Sequence, residues 1–184
     1  MNNKVNQLYV ITGGPGAGKT TLLEELGRSG FAVVPEEARK IIKEQMSSGG
    51  DGLPWKNKGN YADLMLNASA ETYQQIKKMN IPGAIFFDRG ILDTICYMEM
   101  EKIPVSEASE AVIRETVYND PVFILPPWKE IYENDQERKQ TWEEAVFTFE
   151  KMKETYLKYG CIVIEVPRDT VENRRDFVLS RILP

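Results

Sequence analysis

The stretch Gly13-Gly14-Pro15-Gly16-Ala17-Gly18-Lys19-Thr20 lies between an apolar run and a segment with helical spacing. It matches the pattern GxxxxGK[ST], in which glycines let backbone N–H groups surround phosphate oxygens while the next helix points its positive end at them. A chance glycine-rich turn is the alternative, and the flanking strand and helix argue against it. The sequence therefore predicts a phosphate-binding loop from Gly13 to Thr21.

Two side chains of this loop have predicted roles of their own. We expect Lys19 to reach the β- and γ-phosphates of ATP or GTP, and the Thr20 hydroxyl to ligate Mg²⁺. The complete set predicted to bind the nucleotide is Gly13, Gly14, Pro15, Gly16, Ala17, Gly18, Lys19, Thr20 and Thr21.

Composition limits the classes of function that fit. The chain has 184 residues, of which 42% are apolar, so we expect one domain over residues 1–184. A net charge of -5 argues against a nucleic-acid partner. The absence of histidine excludes imidazole catalysis. Since no apolar stretch reaches the roughly 18 residues of a membrane span, we expect a soluble, cytoplasmic protein.

Short apolar runs alternate with longer helix-like segments, as in a doubly wound α/β sheet. Near-continuous apolar character indicates strands that are covered on both faces. Five parallel strands are predicted, at Leu8–Thr12, Ala32–Val34, Ala84–Phe87, Val122–Leu125 and Ile162–Val166.

Capping patterns mark two helices near the end of the chain. Thr141 and Glu144 form a capping-box pattern, which predicts a helix from Thr141 to about Tyr159 that ends at Gly160. Asp169 and Glu172 form a similar pair, which predicts the start of the last helix.

Two segments do not fit the alternation of strands and helices. Residues 46–60 are rich in glycine and contain Trp55, and residues 126–140 are rich in charge. Long irregular connections are often binding loops or lids, although passive surface loops are the alternative. We predict a substrate insertion at 46–60, with Trp55 contacting the acceptor, and a lid at 126–140.

The third predicted strand ends in a carboxylate and a guanidinium, Asp88 and Arg89. In this fold such an aspartate holds Mg²⁺, and Arg89 is placed to face the transferred phosphoryl group or the substrate. A purely structural turn is the alternative, because strand ends favour aspartate for turn chemistry alone.

Two glutamates and an arginine follow the second predicted strand, at the edge where ligands bind in open α/β sheets. Glu36 or Glu37 is a candidate base for an attacking hydroxyl, and Arg39 a candidate to bind an anionic part of the substrate. The alternative is that both glutamates occupy a helix N-terminus and stabilise its dipole.

Three more positions are predicted to contact the nucleotide. Arg138, preferred over Lys139 because guanidinium contacts two oxygens at once, is expected to close over the γ-phosphate. Ordinary solvated charges are the alternative there. Pro167 and Arg168 follow the fifth strand and are expected near the base, although no motif distinguishes adenine from guanine.

The motifs GGPGAGKT, VPEEAR, FFDRG, LPPWKEIYENDQER and VIEVPRDTVENR resemble a family of small predicted ATPases labelled AAA domains. That family is related in motif layout to nicotinamide-riboside and deoxynucleoside kinases. The resemblance implies a P-loop NTPase fold, a three-layer αβα sandwich with strand order 2-3-1-4-5. It also implies that Glu36 or Glu37 serves the substrate hydroxyl, that Arg89 supports the phosphoryl group, and that Arg138 is the lid arginine.

The leading hypothesis is a Mg²⁺-dependent phosphotransferase that uses ATP or GTP and a small hydroxyl-bearing acceptor. The second is an ATPase, GTPase or nucleotide-dependent switch that acts with a protein partner. A binding module without catalysis is the third. The chain is short for an AAA+ motor, which favours the kinase-like interpretation.

Overall fold

A parallel β-sheet forms the centre of the protein. The computed structural model describes residues 6–79, 81–131 and 141–182. Five strands pair in the order β2-β3-β1-β4-β5, all parallel. They are β1 (Gln7–Gly13), β2 (Ala32–Val34), β3 (Ala84–Asp88), β4 (Val122–Leu125) and β5 (Val163–Glu165). The order and the parallel direction of the strands confirm the predicted sheet. Each predicted strand end lies within one residue of the end in the structure.

Helices cover both faces of this sheet. They are α1 (Lys19–Arg28), α2 (Glu37–Ser48), α3 (Lys58–Lys78), α4 (Ile91–Met100), α5 (Glu107–Glu115), α6 (Trp142–Lys158) and α7 (Val171–Ser180), with a short 3-10 helix at Lys129–Ile131. Along β1, side chains alternate between the two faces. Ile11 packs in a core with α1 and α7, whereas Val10 packs in a core with α3, α4 and α6. These three layers confirm the predicted sandwich.

The helix ends agree with the sequence patterns at α6 but not at α7. The Thr141 hydroxyl accepts from the Glu144 backbone N–H at 3.2 Å, and Glu144 Oε2 accepts from the Thr141 N–H at 2.6 Å. At α7 the Asp169–Glu172 prediction is wrong. Thr170 is the N-cap, and its hydroxyl accepts from the Asn173 N–H, because it lies three residues before Asn173.

The irregular segment predicted at 46–60 is shorter in the structure. Helix α2 continues to Ser48 and α3 begins at Lys58, so only residues 49–57 are irregular. Of the predicted lid at 126–140, residues 132–140 lie outside the described residues, and Arg138 is among them.

The topology brings three strand ends to one edge of the sheet. Ile11 of β1 is in register with Asp88 of β3, and Val34 of β2 is in register with Phe87. The loop after β1, the residues after β2 and the end of β3 therefore lie side by side. Within the described part of the chain, no helix is both long and apolar enough to cross a membrane.

Candidate functional site

Two glycines at the ends of the loop between β1 and α1 have backbone conformations that other residues rarely adopt. Gly18 has a φ of +77°, and a Cβ there would lie 2.8 Å from Nη1 of Arg174. Gly13 has a φ of +150°, and a Cβ there would lie 2.8 Å from the Leu125 carbonyl oxygen. Among the described residues, no side chain caps the N-terminus of α1, and its first turn has no acidic residue. Its first N–H groups are thus available to an anion.

Lys19 and Asp88 form an ion pair beside this loop. Lys19 Nζ lies 2.5 Å from Asp88 Oδ1, and the two side chains are only 10% and 17% exposed. Removing one partner of such a pair leaves an uncompensated buried charge. The structure thus brings together the residues predicted to bind phosphate and metal.

Thr20 and Asp88 provide the kind of ligand that Mg²⁺ prefers. Both carry hard oxygen donors, and Mg²⁺ is commonly held by one or two protein oxygens together with substrate phosphates and water. The described residues contain no group of three or more His, Cys, Asp or Glu side chains that could hold a metal ion. The oxygen donors of Thr20 and Asp88 fit a magnesium ion that arrives with a nucleotide.

Arg89 is held in an unusual conformation beside β1. Its φ is +72°, in the left-handed region that non-glycine residues rarely occupy outside functional sites and tight turns. Its backbone N–H donates to the Ile11 carbonyl at 3.0 Å. Its side chain donates from Nε to Glu36 Oε1 at 2.8 Å and from Nη1 to Asp93 Oδ1 at 3.3 Å. The guanidinium is thus fixed by two carboxylates.

These carboxylates also determine the pKa of Arg89. Burial alone lowers the pKa of the guanidinium, but the charges of Asp93, Glu36 and Asp88 more than offset burial and raise it. Arg89 therefore carries a positive charge at physiological pH.

Asp93 is a functional candidate that the sequence analysis missed. Its side chain is 7% exposed. Besides Arg89, it accepts from the Thr12 hydroxyl at 2.5 Å, the Gly90 N–H at 2.8 Å and the Tyr156 hydroxyl at 2.6 Å. It therefore ties Arg89 to β1, α4 and α6. The sequence feature that could have indicated Asp93 is its position three residues after Gly90, in the first turn of a helix, where an acidic residue often caps the helix.

Glu36 and Glu37 lie in the same cavity but have different partners. Glu36 binds Arg89, as described above, whereas Glu37 Oε1 accepts from the Thr72 hydroxyl of α3 at 2.6 Å. Lys40 Nζ lies 3.9 Å from Glu37 Oε2, and its side chain is 68% exposed. Both glutamates thus remain candidates for the predicted base.

The cavity extends from the phosphate loop to helices α3, α4 and α6. Its volume is about 340 Å³, at the lower end of the range of small-molecule pockets. Pro15 of the loop contributes to its wall, and its polar lining is Glu36, Glu37, Asp88, Arg89 and Asp93, with Ser69, Thr72, Thr94 and Thr148. Its remaining lining is mainly apolar or aromatic and includes Met65, Tyr61, Tyr97, Met100, Tyr118 and Met152.

Two residues predicted to contact the acceptor lie elsewhere. Arg39 is exposed on α2, and Trp55 is 65% exposed. Neither is among the described residues that line the cavity, whereas Pro54 is. Their roles stay predictions.

Two tyrosines form an aromatic wall of the cavity. The Tyr61 and Tyr97 rings meet edge to face with centroids 5.6 Å apart. The Tyr97 hydroxyl is buried and finds no hydrogen-bond partner among the described residues. Burial, followed by the charge of Glu36, raises the pKa of Tyr61 to about 12. Burial, followed by the charge of Glu101, raises the pKa of Tyr97 to about 12 as well. Both are neutral at physiological pH.

Arg174 of α7 is a second residue that the sequence analysis missed. It is 5% exposed, and its Nη1 donates to the Gly18 carbonyl at 3.3 Å. Its Cζ lies 5.7 Å from the Trp128 ring centroid, and its Nε has no hydrogen-bond partner within the described ranges. Burial lowers the pKa of this guanidinium. Arg174 therefore supports the phosphate loop from the side of α7.

Pro167 and Arg168, the residues predicted to contact the base, lie in the loop after β5. Arg168 Nε donates to the Pro127 carbonyl at 2.8 Å, so the loop after β5 is tied to the loop after β4. Pro167 and Arg168 are both exposed. Their contact with a base stays a prediction.

The loop, the strand order and the position of Asp88 define the class of protein, a P-loop NTPase fold in its kinase-like arrangement. Within that class the chain belongs to the AAA domain family, whose model matches residues 8–174. No curated protein matches the chain.

Solved structures show the same fold. The NadR protein in complex with NR has a TM-score of 0.71 and 19% identity, over 96% of this chain and 50% of that one. The chain thus spans about half of NadR. Deoxyadenosine kinase from M. mycoides has a TM-score of 0.66 and 18% identity, over 96% and 98%. Thymidylate kinase from Ehrlichia chaffeensis has a TM-score of 0.60 and 15% identity, over 96% and 98%. At these identities the likeness shows the fold alone.

Proposed function

We propose that the protein is a Mg²⁺-dependent kinase that transfers the terminal phosphoryl group of ATP to a hydroxyl of a small molecule. One observation carries this proposal: the Lys19–Asp88 pair lies where the phosphate loop meets a cavity lined by Glu36, Glu37 and Arg89. The similar folds of NadR, deoxyadenosine kinase and thymidylate kinase support it.

Each residue of the site has a role in this reaction. Main-chain N–H groups of residues 13–21 hold the phosphates, and Lys19 neutralises charge on the β- and γ-phosphates. Mg²⁺, held through Thr20 and Asp88, supplies further charge neutralisation when it is bound. Arg89 stabilises the phosphoryl group during in-line transfer, in an orientation fixed by Glu36 and Asp93.

A carboxylate beside the acceptor hydroxyl accepts its proton as the new O–P bond forms. Glu36 and Glu37 are both candidates for this role. Glu36 has one oxygen bound to Arg89, whereas Glu37 accepts from a neutral hydroxyl. Glu37→Gln at saturating ATP tests this assignment: a large loss of kcat with little change in acceptor binding identifies Glu37 as the base, and an unchanged kcat leaves that role to Glu36.

Three further contacts complete the proposal. Arg138 closes over the γ-phosphate from the lid at 126–140, and Pro167 and Arg168 contact the base. Trp55 contacts the acceptor if the segment around residues 49–57 closes over the cavity, and Arg39 of α2 binds an anionic part of the acceptor. Closure of this kind excludes water from a phosphoryl-transfer site.

The test is a transfer assay with ATP, Mg²⁺ and a panel of nucleosides, vitamins and sugars, with products identified by mass spectrometry. We expect at least one phosphorylated product that the Lys19→Ala variant does not form. Lys153→Ala is a matched control, because Lys153 pairs with Glu165 at the surface and is not among the described residues that line the cavity. A panel that yields no phosphorylated product would contradict the proposal.

The AAA domain match favours a second candidate, a nucleotide hydrolase or switch that acts with a protein partner. In that case water is the phosphoryl acceptor and residues 126–140 change with the bound nucleotide. Hydrogen exchange would then show nucleotide-dependent protection of this segment, without transfer to small acceptors.

A further inference from the structure

Arg174 is a buried cation to which the proposed reaction gives no role. It is 5% exposed, and among the described residues no carboxylate forms an ion pair with it. The charge of Asp169 favours the protonated guanidinium, but burial outweighs it and lowers the pKa of Arg174. The Asp169 carboxylate instead accepts from the Thr170 N–H at 2.7 Å and from Asn173 Nδ2 at 2.9 Å. Within the described ranges, the charge of Arg174 therefore lacks a counter-ion.

The guanidinium of Arg174 lies against the phosphate loop. A Cβ on Gly18 would meet Nη1 of Arg174 at 2.8 Å, Nη2 at 3.5 Å and Cδ1 of Ile131 at 3.2 Å. The Trp128 ring centroid lies 5.7 Å from Cζ. The first turn of α1, which follows Gly18, has no acidic residue. A glycine, an aromatic ring and an aliphatic side chain thus lie beside this charge, and none of them neutralises it.

Arg174 also orients the peptide that leads into α1. Its Nη1 donates to the Gly18 carbonyl at 3.3 Å. Because the peptide bond is planar and trans, the direction of this carbonyl fixes the opposite direction for the Lys19 N–H. That N–H is one of the first donors of α1, where no described side chain caps the helix. A donor of the predicted phosphate loop therefore points away from Arg174, and its direction depends on this contact.

A polyphosphate in the loop would change the electrostatic balance around Arg174. It would bring negative charge to the side of Gly18 opposite the guanidinium. The attraction between two charges falls only as the inverse of their distance, and it is strengthened where water is excluded. Arg174 can therefore favour the complex without contacting the nucleotide. The same charge is unfavourable in the free protein, because a buried ion without a partner loses its hydration.

We propose that Arg174 is a positioning residue for the nucleotide, and that its charge destabilises the free protein while it stabilises the nucleotide complex. This inference rests on the proposed function, since it requires a polyphosphate in the loop. A residue that only supported the loop would stabilise both states. The two roles therefore differ in the sign of their effect on the free protein.

The test measures two quantities for each variant: the melting temperature without nucleotide, and the Kd for ATP with Mg²⁺ by calorimetry. Arg174→Met keeps a long apolar side chain and removes the charge. We expect it to raise the melting temperature by about 2–4 °C and to weaken ATP binding about tenfold.

Two further variants separate the charge from the hydrogen bond. Arg174→Gln removes the charge but keeps a donor, and we expect it to weaken ATP binding about as much as Arg174→Met does. Arg174→Lys keeps the charge and should restore most of the ATP affinity. Arg175→Met is the matched control, because this neighbouring arginine of α7 pairs with Glu25 and Asp176. Removing this paired charge should not raise the melting temperature and should leave the ATP affinity unchanged.

The outcomes separate this inference from the proposed function. A melting temperature of Arg174→Met equal to or below that of the wild type would overturn the inference. So would an unchanged Kd for ATP in Arg174→Met or Arg174→Gln, or an Arg174→Lys variant that binds ATP no better than Arg174→Met. In each of these cases the wild type still binds ATP, and the proposed function stands. If the wild type binds no ATP, the proposed function fails and the inference fails with it.

Discussion

Lys19 Nζ lies 2.5 Å from Asp88 Oδ1, which joins the first residue of α1 to the last residue of β3. The cation proposed to bind phosphate and the carboxylate proposed to bind Mg²⁺ thus neutralise each other. A nucleotide with its magnesium ion brings both charges and can satisfy each residue separately. The pair keeps two poorly exposed charges compensated until that ligand arrives.

Replacing Lys19 tests this arrangement. Lys19→Ala should lower kcat/KM for phosphoryl transfer by about 1,000-fold or more, because it removes a charge aimed at the transferring group. The assay is product formation with the preferred acceptor. Asp88→Asn should also be strongly impaired, and the double variant should lose less than the sum of both losses, because the residues act as a unit. Independent, additive losses would contradict the coupling.

Asp93 is predicted to matter for stability as well as for the site. Asp93→Asn should lower the free energy of unfolding by about 3–5 kcal/mol, because Arg89 loses one of its two buried carboxylate partners. Urea denaturation followed by circular dichroism measures this change. Glu154→Gln, which breaks an exposed pair with Lys151, should leave the midpoint unchanged. Similar midpoints for both variants would show that the Asp93 network contributes little.

Arg174 is predicted to act through the phosphate loop. Arg174→Met should weaken ATP binding about tenfold, because a charged donor no longer holds the Gly18 carbonyl. Binding of the acceptor should not change. Arg181→Met is a control on the same side of the protein, since Arg181 stacks on Phe177 instead. Equal loss of ATP and acceptor binding would indicate a general structural role.

The raised pKa of Tyr61 predicts that the folded protein loses stability at alkaline pH. Its pKa is raised to about 12 in the folded protein, against roughly 10 when unfolded. Because the folded state holds this proton more tightly, the stabilisation is complete below pH 10 and is lost as the pH rises towards 12. Tyr61→Phe should therefore lose less stability than the wild type between pH 10 and 12, as measured by urea denaturation. Identical pH dependence would contradict the assigned pKa.

Local patterns were sufficient to predict most of the fold. Continuous apolar runs predicted the strands, and the phosphate-loop motif between a strand and a helix predicted where the sheet edge would bind phosphate. The capping box predicted the start of α6 at Thr141. It failed at α7, because Thr170 and Asp169 are both good N-cap residues and only the structure shows which of them the helix follows.

The candidate site was predictable where its residues lie at or just after strand ends. Asp88, Arg89, Glu36 and Glu37 follow two adjacent strands, and they line one cavity. Asp93 and Arg174 were missed because their importance comes from tertiary contacts. Asp93 meets Tyr156 over 63 positions of sequence, and Arg174 meets Gly18 over 156. No local spacing encodes such contacts.

Calorimetric titration of the purified protein with ATP in the presence of Mg²⁺ measures directly whether the phosphate loop binds a nucleotide. We expect saturable binding of one nucleotide per chain that Lys19→Ala abolishes and Lys153→Ala leaves intact. Absence of ATP and GTP binding at millimolar concentrations, or equal binding by the Lys19→Ala variant, would contradict it.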